Sequence, residues 1–194
     1  MDTLLLRQNI ERHIKLTDKE FSVFESLLTE RQVKARQPVL QEGMVCRQSV
    51  FVARGLLRSY TNDKNGMEHV LSFAPEGWWI ADMYSYISGN PGTLNIECIE
   101  DSSLLILSKE NQDLLYEKVP KFERYFRILI ENSLVSAQQR VLDNLSLSAE
   151  ERFEKFCNKF PDLIQRVSQK QLASYIGVTP EFFSKMKNRF LKQK

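Results

Sequence analysis

Phe21, Phe24, Leu27 and Leu28 recur at the spacing of one helix face, and Thr17 precedes them as an N-cap. That pattern predicts a short amphipathic helix over 18–30. From residue 38 the period changes. Pro38-Val39-Leu40, Val50-Phe51-Val52, Leu56 to Tyr60, His69 to Phe73, Leu94 to Cys98 and Ser103 to Leu107 are short strand-like runs. Turn signals separate them: Glu42-Gly43, Arg54-Gly55, Asn62 to Gly66, Pro75-Glu76-Gly77 and Ser88 to Gly92. Many short strands at such spacing predict a β-sandwich or jelly-roll barrel. From Lys109 onward the pattern is helical.

A long helix is predicted over 121–145, with two stripes of apolar or small residues. Phe122, Phe126, Leu129, Ser133 and Ser136 form one, and Ile130, Leu134, Ala137, Val141 and Leu145 the other. At about 100° per residue the stripes lie a quarter-turn apart, so the helix can pack on two bodies. One body is its own barrel; the other is the same helix of a second subunit. Phe122, Phe126, Leu129, Ser133 and Ser136 are assigned to the subunit interface, where the two serines permit close approach. Asn144 to Leu147 interrupts the pattern. Ser148 with Glu151 then makes a capping box for a helix through Phe160, stopped by Pro161.

The last stretch reads QKQLASYIGVTPEFFSKMKN. Leu172, Ile176, Val178, Phe183 and Met186 have the spacing by which two short helices share one buried face, and Ala173 is small where they cross. Ser168 with Gln171 is a capping box, Gly177 ends the first helix, Thr179 caps the second and Pro180 takes its first position. This is a helix-turn-helix. In a second helix starting at Pro180, Phe183, Met186 and Phe190 face inward. Glu181, Phe182, Ser184, Lys185, Asn188 and Arg189 face outward, and Thr179 and Lys187 suit a phosphate backbone. Glu181 can accept from a cytosine amino group, Lys185 can donate to guanine or phosphate, and Phe182 can meet a thymine methyl.

Charge supports a nucleic-acid partner. From Arg166 to Lys194 seven Lys or Arg stand against one acid, Glu181, out of 27 basic and 25 acidic residues overall. A basic tail on an acidic body therefore hides inside a net charge of +2, and clustered positive charge is what phosphate neutralisation requires. Composition is that of a globular protein, at 42% hydrophobic and 27% charged residues. No apolar run reaches the roughly 20 residues needed to span a bilayer. Charges interrupt the N-terminal MDTLLLRQNIERHIKL too closely for a signal peptide, so a cytoplasmic location and no membrane partner are expected. Cys46, Cys98 and Cys157 are widely spaced and read as small buried hydrophobes rather than ligands. His13 and His69 are the only histidines, too few for a cupin-type metal centre. No G-x-S-x-G, P-loop or H-E-x-x-H occurs, and no catalytic residue, metal site or cofactor is assigned.

An N-terminal helix, a jelly-roll barrel, a long helix and a C-terminal helix-turn-helix, in that order, resemble the Crp/Fnr family of bacterial transcription regulators. Val39-Leu40-x-x-Gly43 and Phe51-Val52-x-x-Gly55 look like that family's first strand pairs with glycine corners. The fold class expected is α+β: a barrel over 1–120, a dimerisation helix over 121–145 and an all-helical DNA-binding domain over 146–194. The resemblance implies a homodimer on double-stranded DNA, with recognition helices in successive major grooves about 34 Å apart. RNA polymerase is a further candidate partner.

Two departures accompany the resemblance. Cyclic-nucleotide readers of the family hold phosphate with a Gly-Glu-Leu turn and, some ten residues later, an Arg-Ser or Arg-Thr pair. Here Ala81-Asp82-Met83 and Gly92-Thr93 stand in those places, and no Lys or Arg occurs between Lys64 and Lys109. The barrel is therefore expected to sense an unknown small-molecule effector or none, with Trp78, Asp82 and Thr93 as candidate pocket residues. Trp78-Trp79 can instead seal the barrel against the long helix. Family members usually carry a β-hairpin wing after the recognition helix, and the basic tail is a candidate to replace some of its contacts to the DNA backbone. The alternatives are a cyclic-nucleotide-responsive regulator and an interaction module that does not bind DNA.

Overall fold

The computed structural model describes residues 1–192, with side chains described to residue 189. Helices α1 (Leu4–Glu11) and α2 (Asp18–Ser26) lead into strands β1 (Thr29–Val33), β2 (Pro38–Leu40), β3 (Gln48–Arg54), β4 (Leu57–Asn62), β5 (Glu68–Ala74) and β6 (Trp79–Ile80). A short helix α3 (Met83–Ser88) precedes β7 (Asn95–Cys98) and β8 (Ser102–Ser108). The described residues that follow form helices: α4 (Lys109–Lys118), α5 (Lys121–Ser146), α6 (Ala149–Lys159), α7 (Leu163–Arg166), α8 (Gln169–Ile176) and α9 (Pro180–Lys192). The strands form two four-stranded sheets, in the orders β1-β8-β3-β6 and β2-β7-β4-β5. The α+β jelly roll followed by a helical C-terminus is as expected.

Strand alternation divides a continuous apolar run between two cores. Val50 and Val52 point into the barrel with Leu57, Ile96, Cys98 and Leu104. Phe51, Leu105 and Leu107 point outward and pack with Leu6, Ile10, Phe24, Leu115, Phe122 and Tyr125 from α1, α2, α4 and α5. A strand covered on both faces reads as Val-Phe-Val rather than as an alternation of apolar and polar residues. Gly43 and Gly55, assigned to corners, both have positive φ, at 84° and 100°.

Several elements differ from expectation. The helix begun by the Thr17 capping box ends at Ser26, and 29–33 is a strand. β1 exposes four of its residues and buries Val33 alone, so its strand character comes from its ladder with β8, Thr29↔Ile106 to Val33↔Ser102. Helix α1 buries Leu6 and Ile10 completely. Helix α3 is opened by the Asp82 carboxylate.

The assignment of the two α5 stripes requires a correction. Phe122 and Phe126 are buried in the barrel's outer core, and Leu129 is partly buried against the same cluster. Trp79 explains this. Its indole donates to the Tyr125 hydroxyl at 2.9 Å, and its ring meets Phe126 edge-on at 5.5 Å and tilts against Phe51 at 5.3 Å. Phe122 and Phe126 are thus unavailable to a second subunit. The exposed stripe is Ile130, Leu134, Val141 and Leu145, with Val135 and Leu142 beside it. Ser133 and Ser136 are exposed.

The chain divides into two compact units, Met1–Thr61 with Ser72–Glu131, and Asn62–Leu71 with Asn132–Lys194. The division crosses β4, β5 and α5. The tip of the β4–β5 hairpin therefore belongs with the helix-turn-helix.

Candidate nucleic-acid interface

The helix-turn-helix is assembled by local chemistry. The Ser168 hydroxyl accepts from the Gln171 amide at 3.3 Å, while the Gln171 side chain accepts from the Ser168 amide at 3.1 Å. Gly177 ends α8 with φ +82°, and its amide donates to the Ala173 carbonyl at 2.9 Å. That left-handed backbone favours glycine. The Thr179 hydroxyl then accepts from the Phe182 amide at 3.2 Å and opens α9 at Pro180. Leu172, Ala173, Ile176, Phe183 and Met186 are all buried. Phe153 of α6 meets Phe183 edge-on at 5.1 Å, and Arg152 donates to the Ile176 carbonyl at 3.0 Å, so α6 braces the pair from behind.

With that face buried, Thr179, Glu181, Phe182, Ser184, Lys185, Asn188 and Arg189 are exposed, and Lys187 is half-buried. Lys170, in the first turn of α8, is also exposed; its only signal in the sequence was its place in the basic count. Phe190, expected to face inward, lies outside the described side chains, and Lys194 of the basic tail lies outside the described residues.

A second set of contacts had no sequence signal. Ser174 on α8 accepts from the Val70 amide at 2.8 Å and donates to the Glu68 carbonyl at 2.8 Å. Arg140 of α5 donates to the carbonyls of Leu71, Val70 at 2.9 Å and Tyr175 at 3.2 Å. Its guanidinium lies 4.4 Å from the centroid of the Tyr175 ring. Burial lowers the Arg140 pKa from its ordinary value and raises that of Tyr175. β5 is the edge strand of its sheet, and an edge presents unpaired backbone groups. Here side chains of α5 and α8 satisfy four of them.

The candidate effector residues do not converge on an enclosed pocket. Trp78 is 43% exposed and Thr93 is exposed, while Trp79 seals the barrel against α5. Asp82 is only 2% exposed. Its carboxylate accepts from the amides of Ser85 at 3.2 Å and Leu94 at 3.4 Å. It also lies directly over Gly92, where an added Cβ would sit 2.2 Å from Oδ2. Arg58 is buried but paired: its guanidinium meets Glu97 at 2.6 Å and covers the Tyr60 ring at 4.1 Å. The β4–β7 register sets Leu57 against Cys98 and Arg58 against Glu97. Arg58 and Glu97 therefore share the sheet face opposite the barrel core. Inside the barrel, the Ser59 and Ser72 hydroxyls bond to each other at 2.7 Å. Cys46 and Cys98 are buried free thiols whose pKa values burial pushes up.

A family profile described as the cyclic nucleotide-binding domain matches residues 30–118. Among curated proteins, the regulatory protein HlyX of Actinobacillus pleuropneumoniae is 23% identical over 189 residues, covering 91% of this chain and 78% of that one. Among solved structures, FixK2 of Bradyrhizobium japonicum superposes with TM-score 0.76 at 19% identity, covering 86% of this chain and 85% of that one. A transcriptional regulator of the Crp/Fnr family from Eubacterium rectale superposes with TM-score 0.70 at 16% identity, covering 92% and 85%. The residues at the barrel turn do not fit a cyclic phosphate. The amides there already bind a carboxylate, and the buried Arg58 is paired with Glu97 on the face of its sheet opposite the barrel core.

Proposed function

From its similarity to regulators of the Crp/Fnr family we propose that the chain is a transcriptional regulator that binds a specific duplex sequence as a homodimer. The observation that carries this reading is the exposed face of α9. It presents Glu181, Ser184, Lys185, Asn188 and Arg189 together on a helix whose opposite face buries Phe183 and Met186. In this reading Glu181 and Lys185 meet base edges, and Thr179, Lys187 and Lys170 meet phosphates. The subunits join through the exposed stripe of α5, which otherwise leaves Leu134, Val141 and Leu145 more than half exposed to water. A cytoplasmic location and contact with RNA polymerase follow from the same reading.

Selection of binding sites from random duplexes, followed by mobility shifts at several salt concentrations, tests it. Glu181→Ala relaxes preference at one base pair, a discrimination of about 1–3 kcal/mol. Lys187→Ala weakens all sequences alike and lowers the salt slope by about one. If neither change moves affinity or preference, α9 is not the reading helix.

The barrel in this reading takes an effector other than a cyclic nucleotide, or none. Burying a cyclic phosphate costs several kcal/mol unless donors and a cation replace its water, and the Asp82 carboxylate already holds the donors. Calorimetry with cyclic AMP and cyclic GMP is expected to give no heat of binding. Micromolar binding that raised DNA affinity would restore the cyclic-nucleotide reading.

A further inference from the structure

Phe182 is an aromatic ring held in water on an otherwise polar helix face. It is 48% exposed, although the neighbouring Phe183 is fully buried and supplies the helix's apolar anchor. Its backbone position is fixed in the first turn of α9, where its amide donates to the Thr179 cap. At about 100° per residue, Phe182, Lys185 and Arg189 lie along one ridge, with Glu181 and Ser184 exposed beside it. A ring in the first turn of a reading helix, set among groups that engage base edges and phosphates, has one apolar group to meet in the major groove. That group is the C5-methyl of a pyrimidine.

We infer that Phe182 is a specificity-determining residue that reads the pyrimidine C5-methyl group, so that its position in each half-site is thymine. The inference rests on the DNA-binding reading of α9. It also goes beyond it, because the group recognised is the methyl and not the base. Cytosine lacks that methyl and 5-methylcytosine carries it in the same place. Methylation of a cytosine placed opposite Phe182 therefore recovers part of the affinity that the thymine-to-cytosine change removes. The ring offers no donor or acceptor, so the contact is blind to the exocyclic groups that distinguish the two bases.

The test uses the full-length protein and the duplex it selects. Each thymine of the half-site is replaced in turn by deoxyuridine, which deletes only the methyl. At one position per half-site the parent protein is expected to lose about fourfold in affinity, the value of one buried methyl-sized group. At that position 5-methylcytosine binds better than cytosine by a similar factor. Phe182→Ala abolishes both differences while keeping the helical circular dichroism of the parent, and Phe182→Leu keeps part of each. A parent protein that selects a duplex but binds the uridine and thymine forms alike at every position overturns the inference alone. A protein that selects no duplex overturns the DNA-binding reading and the inference together. Should Phe182→Ala misfold, Phe182→Leu, which keeps an apolar side chain, carries the assignment: a Leu variant with the parent's full thymine–uridine and 5-methylcytosine–cytosine differences overturns it.

Discussion

Asp82 is a carboxylate almost without solvent, and its surroundings supply backbone amides and a glycine. Its oxygens accept from Ser85 and Leu94, and it caps α3. Gly92 is required beneath it for space, since a methyl group there would collide with Oδ2. Gly92→Ala is accordingly expected to destabilise the protein by about 1–3 kcal/mol, the range for overpacking a filled site. Urea unfolding measures it. Asp82→Ala opens the space, so the cost of the glycine change is smaller in the double variant than in the parent. Equal costs in both backgrounds would show that the two residues are not in contact. The sequence named Asp82 as a candidate pocket residue, in a place where the resemblance expects a phosphate-binding turn. The structure adds that the side chain turns inward and takes the amides for itself, which depends on a contact between residues twelve positions apart.

At the scale of elements, α5 separates what was legible from what was not. Its existence, its length and its two stripes are all visible in the sequence. Which stripe meets the barrel is not, because both are apolar and periodicity carries no address. The deciding contact is the Trp79–Tyr125 hydrogen bond and the aromatic cluster around it, made across 46 residues of chain. Phe122→Asp is therefore expected to abolish cooperative unfolding, since it buries an unpaired charge in the core. Leu134→Asp, at a position 58% exposed, is expected to leave the melting transition of the barrel in place and to shift sedimentation to the monomer. A parent chain sedimenting as a monomer at micromolar concentration would remove the dimer from the proposal. The helix-turn-helix was legible residue by residue because its signals are local: two caps, a glycine and a proline within a dozen positions. β1 was not, because a polar strand such as Thr29 to Val33 is made by its partner.

For the molecule as a whole, the order of elements along the chain and the grouping of elements in space do not coincide. The helix-turn-helix looks from the sequence like a C-terminal attachment over 146–194. In the folded chain its unit also takes in Asn62–Leu71, held by Ser174 and Arg140 through backbone carbonyls and the Val70 amide. Those bonds recognise main chain, so they place little demand on which side chains the hairpin carries. They do demand that residues 140 and 174 be an arginine and a hydroxyl. Exchange of C-terminal halves between related chains, by recombination or in the laboratory, would join helix-turn-helix units to hairpins they did not evolve with. A graft that keeps this arginine and hydroxyl can close on a foreign hairpin. One that lacks them leaves the Val70 amide and the neighbouring carbonyls without these partners.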